Sequence, residues 1–205
     1  MSADLVARGF EGIASRVDAT GFRSIGFTSA LLSEGVSTIA LGTALALTEL
    51  QDGPVLLIDA NWVQPSLTTD AGLESAAGLA DHLAGAAELA AIVRNTSRAG
   101  LSLLPVGDRA LARPTLRGLA SLLTRDAAAY RTVLVDLPPV LAGEPFVLPW
   151  IALLDQVLVV VRENATPLPL VREALGRLGQ THEAQIVLNR TGKPVGRPAL
   201  RPVRT

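Results

Sequence analysis

The chain has 205 residues, 49% of them hydrophobic but only 3% aromatic, and carries a formal charge of −1 with no cysteine. That length suits one domain with a substantial core; the absence of cysteine excludes disulfides and thiolate metal sites and fits a cytoplasmic location. The small net charge hides an asymmetry, because residues 190–205 hold Arg190, Lys193, Arg197, Arg201 and Arg204 with no acid, leaving thirteen basic residues against nineteen acids elsewhere.

A single domain is therefore expected over 1–189, followed by a basic tail over 190–205. Pro194, Pro198, Pro202, Gly192 and Gly196 make that tail a disordered or extended segment, able to touch an anionic membrane weakly. The longest apolar run, 147–161, is broken by Asp155 and Gln156, too early for a membrane span. The opening Met-Ser-Ala-Asp-Leu has no basic region followed by an apolar one, so no signal peptide is expected.

In chain order, residues 4–17 suit an amphipathic helix with Leu5, Phe10, Ile13 and Val17 turned inward. A short strand over 23–27 runs into a loop at Thr28, and 37–50 is helical, ended by Asp52-Gly53-Pro54. The apolar run 55–59 closes on Asp59, as expected for a strand buried on both faces. Short helices follow near 78–84 and 88–93, then a strand at 101–105, a helix over 115–129 and a strand over 133–136. A strand at 157–161, a helix across 168–178 and a strand at 185–188 complete the series. Strands alternating with helices predict an α/β fold with a doubly wound, mostly parallel sheet and its ligand at the strands' carboxyl ends.

The loop Thr28-Ser-Ala-Leu-Leu-Ser-Glu-Gly-Val-Ser-Thr38 has the outline of a phosphate-binding P-loop, (A/G)-x-x-x-x-G-K-(S/T), with Val36 at the lysine position. Ser33, Glu34 and Gly35 would form the turn into a helix whose free N–H groups cradle phosphate without a side chain. Ser37 would ligate Mg²⁺ and Thr38 reach a neighbouring phosphate, whereas Val36 offers no charge. An ordinary Ser/Thr helix cap gives the same residues. Asp59 and Asp136, each ending a buried apolar strand, are placed to hold Mg²⁺ or orient a nucleophile. His82 and His182 lack partners at metal-ligand spacing. Trp62 suits a partner contact or local packing, Trp150 the core, and Arg109 and Arg113 a solvated loop unless they meet a substrate or partner.

The succession TSALLSEGVST, VLLIDANWVQPSL, GLADHLAG, LSLLPVG, YRTVLVDLPPVL, DQVLVVVRENAT and IVLNR resembles the bacterial tyrosine-kinase family of Min/Par-type deviant Walker ATPases, which serve capsule and exopolysaccharide assembly. There the segments read approximately TSAxPGEGKST, VLLIDADxRxPxL, GLSDxLxG, LxVLPxG, YDxVIIDTPPxL and ADxVLLVVRxGxT. The resemblance implies that Asp59 is the aspartate of the second Walker-type strand, near Mg²⁺ and a candidate base. By the same resemblance Asp136 is the Walker B aspartate, Asn189 reads the adenine edge and Arg190 flanks the base. The departures are Ser33 and Val36 for the family's glycine and lysine, and Asn61 and Val63 for its second aspartate and following arginine. Leu137 replaces the threonine of DTPP, no tyrosine cluster follows, Tyr130 is the sole tyrosine, and the only lysine is Lys193. No clean match to the family's N-terminal Glu/Arg oligomerisation motif stands around Glu11 and Arg16.

These departures imply a degenerate, noncatalytic member that holds ATP or ADP with Mg²⁺ weakly or not at all. It would act as a regulatory or docking subunit of exopolysaccharide assembly, at the inner face of the membrane through a chain-length or co-polymerase protein. Homo-oligomers fit this reading; nucleic acid does not. Two alternatives stand: a weak nucleotide switch or kinase completed by a partner's residue, and a Min/Par-type positioning protein.

Overall fold

The computed structural model describes residues 3–179 and 184–189, with side chains from Gly9 onward. Seven strands, β1 (Ser24–Ser29), β2 (Val55–Asp59), β3 (Arg94–Asn95), β4 (Leu101–Leu104), β5 (Thr132–Asp136), β6 (Gln156–Arg162) and β7 (Gln185–Asn189), form one sheet in the order β3-β4-β2-β5-β1-β6-β7. All neighbours pair in parallel except the two-residue β3, which runs antiparallel to β4. The doubly wound sheet expected from the sequence is the observed one.

Its two faces read directly from strand alternation. Ile25, Phe27, Val55, Leu57, Leu134, Leu158 and Val160 face α1 (Ala3–Thr20) and α2 (Val36–Leu50). Leu56, Ile58, Val133, Val135, Val157 and Val159 enter the other core layer, whose helical residues come from α4 (Leu79–Leu83), α5 (Leu89–Ile92), α6 (Leu116–Ser121), α7 (Val140–Ile151) and α8 (Leu168–Leu178). Val17 of α1 is buried and Phe10 and Ile13 lean on the same layer, while Leu5 lies outside the described side chains. Gly42 lets α1 sit close on α2, since a Cβ there would lie 2.5 Å from the Phe10 ring.

Besides the two-residue β3, which the sequence reading lacks, three elements depart from it. The helix expected over 115–129 leaves α geometry after Ser121 and opens into a π turn, Leu122–Asp126. Asp126 at its end meets His82, whose Nε2 lies 3.2 Å from Asp126 Oδ2 and whose Nδ1 lies 2.9 Å from the Ala87 carbonyl, so His82 packs rather than ligates. Helix α7 was hidden by Pro145 and Pro149, and the chain tolerates them by breaking helical geometry at Gly143. The short α3 (Ser66–Asp70) was also unexpected. Trp150 is fully buried, as expected. No helix among the described residues is long and apolar enough to cross a membrane, and His182, Arg190 and the tail lie outside them.

Candidate functional site

Strand order brings the polar strand ends together. β5 lies between β1 and β2, so Asp136 stands beside Asp59 on one side and beside Phe27, just before the loop, on the other. The loop leaving β1 has a phosphate-cradle backbone: Ser33 has φ 63° and Gly35 has φ 92°, and Gly35 caps α2 without a side-chain bond. Ser33 holds this left-handed conformation despite its Cβ, at a cost of about 1 kcal/mol. The φ of 92° at Gly35 favours glycine, and a Cβ there would lie 2.3 Å from Asn189 Nδ2 and displace that amide.

Further contacts fix the loop from outside. Asn189 Nδ2 donates to the Glu34 carbonyl at 2.7 Å, and the Thr166 hydroxyl donates to the Glu34 carboxylate, which is buried. Burial raises the Glu34 carboxyl above its ordinary range. Asn189, expected beside an adenine, thus reaches the loop backbone. Val36, at the lysine position, is 8% exposed and belongs to the apolar layer between α2 and the sheet. The position is therefore built into the core as well as uncharged. Ser37 Oγ, in the first turn of α2, accepts a 2.7 Å bond from Ser66 Oγ.

The two aspartates have opposite surroundings. Asp59 Oδ1 accepts from the Asn61 N–H at 3.1 Å, and its Oδ2 accepts from both the N–H and the hydroxyl of Thr68 at 2.8 Å. Thr68 Oγ1 in turn accepts from the Val106 N–H at 3.0 Å. Asp59 therefore ties the turn after β2 to α3 and, through Thr68, to the loop after β4. Neither carboxylate oxygen of Asp136 has a hydrogen-bond partner among the described residues; the Ser37 hydroxyl favours its anion without reaching hydrogen-bond geometry. Burial pushes Asp59 up to about 6, against its hydrogen bonds and the Arg109 charge; burial and then the neighbouring Asp59 charge push Asp136 well above the ordinary carboxylate range. The orphaned, buried Asp136 carboxylate and the Ser37 hydroxyl fit a hydrated Mg²⁺, whereas the loop over 28–38 has no cationic side chain to answer the charge of a triphosphate. Among the described residues no group of three or more His, Asp or Glu forms a metal cluster.

Sequence reasoning missed the rim beside these carboxylates. Trp62 is buried and its ring stacks on Phe146, centroids 6.0 Å apart at 15°, which settles Trp62 as local packing. Arg109 NH1 donates to the Trp62 carbonyl at 2.6 Å, and the Arg113 guanidinium lies 5.9 Å above the Phe146 ring. Neither arginine is the freely solvated side chain taken as the default. Asn61 Oδ1 accepts from the Val63 and Gln64 N–H groups at 3.2 and 2.8 Å, shaping the turn that carries Trp62.

No family model matches the chain. It is 33% identical over 183 residues to the succinoglycan biosynthesis transport protein ExoP of Rhizobium meliloti (strain 1021), an overlap covering 82% of this chain and 22% of that protein. It is 31% identical over 123 residues to the tyrosine-protein kinase YwqD of Bacillus subtilis (strain 168), covering 58% of this chain and 52% of that one. The chain thus spans about half or less of the length of these curated relatives. The crystal structure of the VpsO kinase domain superposes with a TM-score of 0.73 at 27% identity, over 94% of this chain and 100% of that domain.

Proposed function

Because the chain belongs to the bacterial tyrosine-kinase family of Min/Par-like P-loop proteins, we propose that it is a degenerate, noncatalytic member acting as a regulatory or docking subunit in exopolysaccharide biosynthesis. Its partner in this reading is the cytoplasmic end of a membrane chain-length or co-polymerase protein, which places it peripherally at the inner face of the membrane. The observation that carries the reading is Val36, buried in the apolar layer between α2 and the sheet where the family places the phosphate-neutralising lysine. Losing one preorganised charge donor costs about 10² to 10³ in rate, and here the lysine and the arginine at Val63 are both replaced.

Calorimetry with Mg·ATP tests this. Affinity no tighter than the high-micromolar range is expected, roughly −5 to −6 kcal/mol, with no phosphotyrosine at Tyr130. Tyr130 precedes β5 and packs on the core at the amino end of the sheet, away from the loop. Low-micromolar binding by the isolated chain, or phosphotyrosine lost in Asp59→Asn, would overturn the reading.

The second reading is a weak nucleotide switch completed by a partner's cation, in which Ser37 and Asp136 hold Mg²⁺ and residues 33–38 with Asn189 surround the nucleotide. The unpartnered Asp136 carboxylate favours it. In that case Ser37→Ala and Asp136→Asn remove the Mg²⁺ dependence of whatever nucleotide binding is measured.

A further inference from the structure

The segment after β4 carries two exposed arginines, Arg109 and Arg113, and both meet the same aromatic pair. One guanidinium is anchored through a single nitrogen on the Trp62 carbonyl; the other rests on the face of Phe146. Each is held by one contact although both residues are exposed, and the Arg109 charge also acts on the buried Asp59 carboxyl. The only acid between them and β4 is Asp108, whose carboxylate already accepts from the Ala110 N–H at 3.0 Å. Exposed apolar side chains accompany the arginines: Leu111 is 51%, Leu116 54% and Val63 36% exposed. The surface lies at the carboxyl end of the sheet, where doubly wound folds bind their ligands.

We propose that this rim is a docking surface for an acidic peptide segment of a partner protein, with Arg109 and Arg113 receiving its carboxylates and Leu111, Leu116 and Val63 receiving its apolar side chains. Guanidinium groups recognise carboxylates through paired, charge-assisted hydrogen bonds, and prior anchoring lowers the entropy lost in making them. A protein segment suits the rim better than a lipid surface, because the two charges are each held by a contact, Arg109 on the Trp62 carbonyl and Arg113 on the Phe146 ring, and exposed apolar side chains occur in the same segments. A membrane surface is met by long mobile basic side chains in greater number. The proposal rests on the docking reading above and names the chemistry of the partner.

The test titrates the full chain with a synthetic peptide of alternating glutamate and leucine. It is followed by calorimetry and by tryptophan fluorescence, since Trp62 lies in the rim while Trp150 is fully buried. Saturable binding that moves the fluorescence is expected, at least about tenfold weaker in Arg109→Ala/Arg113→Ala. Arg98→Ala should leave it unchanged, because Arg98 pairs with Glu49 elsewhere on the surface at 2.6 Å. Circular dichroism melting of each variant separates lost binding from lost folding. If the double variant melts as before and binds equally well, or a lysine–leucine peptide binds as tightly, the rim is not the site. Arginine-dependent binding to phosphatidylserine vesicles without binding of the peptide would reassign the surface to lipid and overturn the proposal. Nucleotide turnover would sink the noncatalytic reading while leaving this measurement untouched.

Discussion

Asp59 and Asp136 stand opposite each other on neighbouring parallel strands, equally buried, yet one is surrounded by donors and the other by none. The loops after β2 and β4 are built around the Asp59 carboxylate; nothing in the described residues is built around that of Asp136. In a site that handles a metal, the carboxylate left free by the protein is the one available to a ligand. Asp59 thus reads as a structural clamp and Asp136 as the residue with unused capacity, and the difference is measurable by removing each in turn.

Asp59→Ala carries the largest expected effect. It strands the Asn61 and Thr68 N–H groups and the Thr68 hydroxyl in the interior, at a cost of about 3 kcal/mol. Chemical denaturation should show it, with a lowered midpoint and an unchanged slope. A loss under about 0.5 kcal/mol would mean that the loops after β2 and β4 hold without the clamp.

Asp136→Asn should act in the opposite direction. Both carboxyls have folded-state pKa values raised above their unfolded values, Asp59 to about 6 and Asp136 further. Groups raised in this sense contribute stability that is full below about pH 4 and is lost as pH rises through the folded values. The chain should therefore melt at a higher temperature at pH 5 than at pH 8. Asn at position 136 removes the repulsion and the buried charge, so it should raise the melting temperature at pH 8 and flatten the pH dependence. A destabilised variant at pH 8 would show that Asp136 is held as an anion by a group outside the described residues.

The contrast between these residues was only half legible in the sequence. Continuous apolar runs ending in aspartate place both carboxylates at strand ends, because parallel strands buried on two faces leave no other pattern. What sequence could not show is which aspartate has partners, since Thr68 reaches Asp59 from the short α3 and is itself met by Val106 from the loop after β4. The same holds for the rim: Phe146 meets Trp62 across 84 positions, on a helix masked by its own prolines.

Ser33→Gly probes the loop on a smaller scale. The left-handed φ of 63° is strained for serine and relaxed for glycine, so the exchange should stabilise by about 0.5–1 kcal/mol, net of the greater freedom of glycine in the unfolded chain. A thermal shift of the opposite sign would indicate that the serine side chain holds the loop.

The smallest effect on the fold is expected from cutting the chain after Asn189. β7 ends there and pairs with β6 through Asn189, opposite Arg162, so the truncation leaves the sheet intact and the melting temperature should stay within about a degree. What the cut removes is five positive charges and no acid. Near an anionic membrane each basic residue contributes up to about 1 kcal/mol, a term screened by salt. That biases location without anchoring, because Leu200 is the largest apolar side chain among 190–205. Sedimentation with phosphatidylserine vesicles should show weak, salt-sensitive association of the full chain that the truncated chain lacks, while partner binding through the body persists. If truncation instead abolishes partner binding, and vesicles never bound the full chain, the tail is a docking peptide and the body's arginine rim is not sufficient for recognition.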